Sequence, residues 1–182
     1  ERYPQHRRRY LLLMYAAMGL GMLTKGPIAV GVPALACAIW LLFERRLPDI
    51  RRLSMIPGAL ILLAIVAPWY IAVYAQHGWE YIRLFFIDEN LSRYATAVTT
   101  ERSALFFVPA LFADILLPWA PLLLVPIVTV WTRRGERADP GVAIRRLLWW
   151  WIVTIVAVFS FSASKEDLYI FPAIPAAAVL IA

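Results

Sequence analysis

Only two lysines occur in this chain of 182 residues, and each sits in a short polar turn between apolar runs. Lys25 lies in GMLTKGPIAV, Gly21–Val30, beside a glycine and a proline that would break any helix passing through. Lys165 lies in SASKEDLYIFP, Ser162–Pro172, and a third polar group, ENLSRY, Glu89–Tyr94, carries Arg93. An ammonium brings three donors and a full charge, and a guanidinium brings a planar fork. Three such cations converging on one face of a membrane would hold an anionic headgroup. Tyr169, at membrane level, could donate to the same anion, and helix N-termini at Pro27 and near Leu168 would add positive dipole ends. Taken singly, each residue has a plainer reading. Lys25 can snorkel, Lys165 can sit in a solvated turn beside Glu166 and Asp167, and Arg93 can pair with Glu89 four residues earlier. Their shared placement favours the anion.

Other candidates carry less. Asp114 falls in an apolar run, where a carboxylate is a functional suspect, although the proline-rich start of that run can leave it at the surface. Asp88 and Glu89 are adjacent, so on a helix only one faces a given site. His6 and His77 are isolated, Cys37 reads as packing filler, and no spacing resembles a transition-metal site. Gly19-Leu20-Gly21 reads as a close-packing helix face rather than a phosphate loop.

The elements that must position these groups are membrane helices. The chain is 62% hydrophobic with a mean hydropathy of +0.69 and 8 Trp, more apolar surface than a soluble domain of this size can hide. The reading is an all-α, polytopic transmembrane bundle, a single domain over 1–182. Its apolar segments fall at about 10–24, 27–43, 55–74, 104–131, 147–163 and 168–182. Membrane-barrel strands would alternate polar and apolar, and these runs do not. If each run crosses once, one side receives Arg2, Arg7, Arg8, Arg9, Arg45, Arg46, Arg51, Arg52, Arg133, Arg134, Arg137, Arg145 and Arg146, most of the 18 basic residues. That side is cytoplasmic by the positive-inside bias, and both lysines fall on the other. The net charge of +6 therefore points to membrane orientation rather than to nucleic acid. The stretch 75–103 interleaves Trp79, Tyr81, Ile82, Phe85, Phe86, Ile87 and Leu91 with charges near helical spacing. That pattern predicts an amphipathic helix lying in the outer interface. The first two runs are short: about 14 residues rise roughly 21 Å against about 30 Å of hydrocarbon. The Thr24–Pro27 break is thus expected in a cavity below the outer surface. The chain itself is expected to be a piece of a longer protein.

GLGMLTKGPIAVGVP, FFIDENLSRY, LLPWAPLLL and FSASKEDLYIFPAIPAAAVL, in that order, resemble bacterial polyprenyl-phosphate-dependent glycosyltransferases. This C-type superfamily includes the protein O-mannosyltransferases and the aminoarabinose transferases. The resemblance covers Tyr10 to Ala182 and rests on the order and spacing of short motifs. It implies a multi-pass enzyme of the bacterial inner membrane with its active site facing the periplasm. Such an enzyme takes a sugar from an undecaprenyl-phosphate donor to lipid A, a glycan or a protein. By the same resemblance Lys25, Arg93, Lys165 and Tyr169 are the donor-phosphate ligands. The general base is expected N-terminal to this chain, which leaves the catalytic residues unassigned here. Asp88 or Glu89 could orient the acceptor or meet a metal. Asn90 stands where a histidine is common, which weakens any metal contact from that position, and Glu166 and Asp167 replace less acidic residues. No cofactor is fixed by these residues, and a divalent metal is left open.

The residue types suit that chemistry. A polyprenyl phosphosugar is a phosphodiester of one negative charge, and loss of the sugar leaves a monoester approaching two. Cations at the phosphate therefore bind the transition state more tightly than the ground state. The alternative reading is a transporter or lipid flippase segment with an anion-binding cavity, since broken helices and recessed charges also build transport sites. A lipid-binding scaffold without turnover is a third.

Overall fold

The computed structural model describes residues 4–95, 103, 105–111, 116–123, 125, 128, 132, 139–163 and 165–182, with backbone alone at 4, 5, 89, 91, 93 and 167. Every regular element among the described residues is helical. Five longer helices are α1 (Pro4–Lys25), α2 (Ile28–Phe43), α3 (Met55–Arg83), α4 (Pro140–Phe161) and α5 (Ile174–Ile181). Met55–Asp88 and Pro140–Phe161 are long and apolar enough to cross a membrane, and Ile28–Phe43 and Leu168–Ile181 are shorter apolar helical stretches.

Several boundaries differ from those expected. The first helix begins at Pro4 rather than near residue 10 and includes Arg7, Arg8 and Arg9. Its 22 residues rise about 33 Å, enough to cross hydrocarbon. Arginine is a good helix former, so the charge that ends an apolar run does not end a helix. Likewise α4 starts at Pro140 rather than 147. Asp139 caps it, its side chain accepting from the Gly141 N–H at 2.7 Å, with Pro140 in the first turn. The expected 104–131 segment, rich in prolines, is broken among its described residues. Helical turns at Phe107–Pro109 and Ala120–Leu123 flank a cis Leu117–Pro118 bond, and Val125 and Val128 are helical beyond them. Asp114 lies outside the described residues. The last segment opens as a 3-10 turn, Asp167–Ala173, before α5.

The chain forms two compact units, the first from Glu1–Gly31 with Arg46–Ser92 and the second from Val32–Arg45 with Arg93–Ala182. In the first, α1 and α3 run parallel. Gly19 lets Ile65 approach, and Gly58 lies so close against the Tyr15 ring that no side chain would fit there. The Tyr15 hydroxyl donates to the Leu53 carbonyl at 3.2 Å, and Arg7 donates to the Arg52 carbonyl at 2.6 Å. At Gly78, φ +70 and ψ −169 break the helical path of α3. Such a backbone is strained for other residues, and nothing crowds the position, so conformation alone demands glycine. Beyond it a π-helical stretch, Leu84–Ser92, folds back, with Phe85 and Phe86 against the Tyr70 ring. Of the stretch 75–103 expected as one amphipathic helix, residues 75–92 are the kinked end of α3 followed by this wider-wound stretch, and 96–102 lie outside the described residues.

In the second unit Phe107, Leu111, Leu123, Ile155 and Ile170 form a fully buried core. Arg146 of α4 meets Glu44, just past α2, at 2.7 Å in a buried ion pair, and Phe43 stacks on Trp150 at 4.6 Å. The Trp151 indole N–H donates to the Pro172 carbonyl, fastening the 3-10 turn to α4.

Candidate functional site

The Lys25 turn is built by the end of α1. Gly26, at φ +74, donates its N–H to the Met22 carbonyl at 3.0 Å, a left-handed cap that satisfies an orphan carbonyl of the last turn. The Thr24 hydroxyl donates to the Gly21 carbonyl. Pro27 then starts the return helix, its carbonyl accepting from Gly31 at 2.9 Å. The backbone at Gly26 is buried while Lys25 is exposed, and among the described residues its side chain has no hydrogen-bond or ion-pair partner. Asn90 covers the turn: a Cβ on Gly26 would lie 2.9 Å from Asn90 Oδ1 and 3.0 Å from Nδ2. The Asn90 amide donates to the Phe85 carbonyl at 2.7 Å. Within the first unit the TKGP turn and the ENLSRY segment thus meet.

The Lys165 turn is built by the end of α4. Ser162 leaves the helix in an extended conformation, its N–H on the Phe159 carbonyl. Lys165 is only 7% exposed, and its Nζ donates to the Ser162 carbonyl at 2.7 Å. An ammonium has three donors, and this is the one acceptor it meets among the described residues. Glu166 points to the exterior, so the buried cation has no carboxylate from it. Tyr94 ties the turn from two sides. Its carbonyl accepts from the Ala163 N–H at 2.9 Å, and its hydroxyl donates to the Val158 carbonyl at 3.0 Å. The half-buried Tyr169 packs its ring on Phe159 at 4.9 Å between centroids, with its N–H on the Glu166 carbonyl. Within the second unit the RY end of ENLSRY and the Lys165 turn therefore meet.

Arg93 falls on the short turn Arg93–Ala95, and its side chain lies outside the described residues, as does that of Glu89. Asp88 is exposed. Among the described residues no group of three His, Cys, Asp or Glu side chains could hold a metal. The Asn90 Nδ2 is engaged by the Phe85 carbonyl. Two residues escaped the sequence reading as structural partners, Asn90 and Tyr94. The only signal for Asn90 was the glycine of TKGP, which invites close approach.

Comparison with known proteins places these motifs in context. Residues 1–71 match the family model described as dolichyl-phosphate-mannose-protein mannosyltransferase. The undecaprenyl phosphate-α-4-amino-4-deoxy-L-arabinose arabinosyl transferase 1 of Pseudomonas fluorescens (strain Pf0-1) is 31% identical over 100% of this chain and 31% of its own length. The arabinosyl transferase of Pseudomonas paraeruginosa is 33% identical over 93% of the chain and 29% of its length. The crystal structure of ArnT from Cupriavidus metallidurans bound to undecaprenyl phosphate superimposes with a TM-score of 0.82 at 31% identity. That match covers 96% of this chain and 30% of ArnT. The chain thus spans a little under a third of the length of these relatives. By sequence and by fold, this chain is similar over nearly its whole length to one stretch of the undecaprenyl-phosphate arabinosyl transferases.

Proposed function

We propose that the protein containing this chain is a membrane glycosyltransferase that moves a sugar from an undecaprenyl-phosphate donor. In this reading the chain supplies the donor-phosphate ligands Lys25, Arg93, Lys165 and Tyr169. The observation that carries it is Lys165: a buried ammonium with a single carbonyl acceptor among the described residues is costly unless an anion completes its shell. In the reaction an acceptor oxygen attacks the anomeric carbon, and the bond from that carbon to the phosphate oxygen breaks. The electron pair stays on the lipid phosphate, whose charge moves from one toward two. Lysines at that phosphate act where charge develops, which is the condition for lowering the barrier. The acceptor proton passes to a base expected outside this chain, with Asp88 or Glu89 orienting the acceptor. That acceptor is lipid A, a glycan or a protein. The sugar named for the relatives, 4-amino-4-deoxy-L-arabinose, is the first donor to assay.

The same proposal includes one transmembrane domain with about six segments in the bacterial inner membrane, the lysine turns facing the periplasm. Contacts within each unit support the two-sidedness. Arg7 with Arg52, and Glu44 with Arg146, join stretches assigned to the Arg-rich side. Gly26 with Asn90, and Ala163 with Tyr94, join stretches assigned to the lysine side. The test is Lys25→Ala, Arg93→Ala and Lys165→Ala in the full-length protein, assayed for transfer from a polyprenyl phosphosugar. Each is expected to lower transfer with folding retained. Full activity in all three would refute the assignment.

A further inference from the structure

We propose that Asn90 is a positioning residue for Lys25, an uncharged clamp on the TKGP turn that decides where the ammonium can reach. The proposal rests on the reading of Lys25 as a donor-phosphate ligand. Lys25 is exposed and no hydrogen bond or ion pair steers its side chain among the described residues. The direction in which it leaves the chain is therefore set by its backbone. That backbone is held from below by the Gly26 N–H on the Met22 carbonyl and by the Thr24 hydroxyl on Gly21.

From the other side the carboxamide of Asn90 lies across Gly26. A Cβ at Gly26 would sit 2.9 Å from its Oδ1, 3.0 Å from its Nδ2 and 3.3 Å from its Cγ, so the whole planar group faces the glycine. The carboxamide cannot swing away freely, because its Nδ2 donates to the Phe85 carbonyl in its own π-helical stretch at 2.7 Å. Gly26 is therefore required twice, by its φ of +74 and by this contact. The chemistry of the clamp also suits an anion site. A carboxamide adds shape without charge, whereas a carboxylate at that place would neutralise the lysine and repel a phosphate.

The deciding experiment is a pair of substitutions in the full-length protein, with transfer from an undecaprenyl phosphosugar measured per folded molecule. Asn90→Ala is expected to lower kcat/KM for the donor by about 3- to 10-fold, the usual range for coupled neighbours. In a Lys25→Ala background the same change should cost almost nothing, because there is no ammonium left to aim. An equal loss in both backgrounds overturns the proposal and leaves Asn90 as packing only. Full activity of Lys25→Ala by itself would instead bring down the reading of Lys25 as a phosphate ligand, so the two failures are separable. Asn90→Asp serves as the second variant, keeping the shape while adding charge. It should raise KM for the donor more than Asn90→Ala does, and a KM equal to that of the unsubstituted protein also counts against the proposal. Thermal midpoints of each variant guard against loss of folded protein.

Discussion

The two lysine turns are written alike in sequence and built differently. Each follows the end of a helix, each has a small residue nearby, and each precedes a new helical element. Lys25 stands exposed on a turn closed by a left-handed glycine and covered by another residue's carboxamide. Lys165 is buried, and its own ammonium closes the turn by donating to the Ser162 carbonyl. The first is a free arm on a rigid mount; the second is part of the mount. If both lysines hold the donor phosphate as proposed, the difference teaches that one residue type serves an anion in two ways. A buried cation acts through a low dielectric and is already oriented, so it should contribute more to the transition state. An exposed one is screened and contributes mainly to capture.

The contrast yields ranked expectations for the full-length enzyme. Lys165→Met, which keeps the stem and removes the charge, should cost roughly 10²- to 10³-fold in kcat, the scale of losing one preorganised donor. It should leave the thermal midpoint nearly unchanged, since the cost of burying the charge goes with its bond to the Ser162 carbonyl. Lys25→Ala should cost about tenfold, mostly in KM for the donor, as expected of one charge-assisted contact in a wet site. If steady-state kinetics ranked the two the other way, the assigned division of labour would be wrong. Raising salt from about 0.05 to 0.5 M should weaken donor capture by a few-fold in the unsubstituted enzyme and less in Lys25→Ala. The smallest effect belongs to Tyr94→Phe, which loses the hydroxyl bond to Val158 but keeps the backbone bond to Ala163. A calorimetric or thermal-shift measurement should find at most about 1 kcal/mol.

Much of this site was legible beforehand because its pieces are local. TKGP announces a helix end, a left-handed glycine and a helix start within four residues, and α1, Gly26 and α2 follow that order. The apolar run at 55–74 likewise announced α3, and the aromatic spacing of 75–103 announced that the chain changes character there. The misplaced boundaries share one cause. Arg7–Arg9 and Arg145–Arg146 are polar enough to end an apolar run but are good enough helix formers to continue a helix, so hydropathy ended where backbone hydrogen bonding did not. The cap Asp139-Pro140 was readable and outranks hydropathy as a start signal. The run from 104 is too long and too rich in prolines for one straight span, and among its described residues the helical path is indeed broken.

Composition, charge asymmetry and the order of short motifs were enough, without coordinates, to read a helical membrane protein that resembles the polyprenyl-phosphate glycosyltransferases. They are enough because hydrocarbon admits few backbone solutions and because cap and turn chemistry acts over four or five residues. Only the tertiary structure could decide that Lys165 is buried and Lys25 exposed, that Asn90 lies on Gly26, and that Tyr94 grips the end of α4. Those facts depend on partners 64 residues apart in the chain, in the cases of Gly26 with Asn90 and Tyr94 with Val158. No local rule reaches that far, because burial and contact are properties of packed neighbours rather than of residue type.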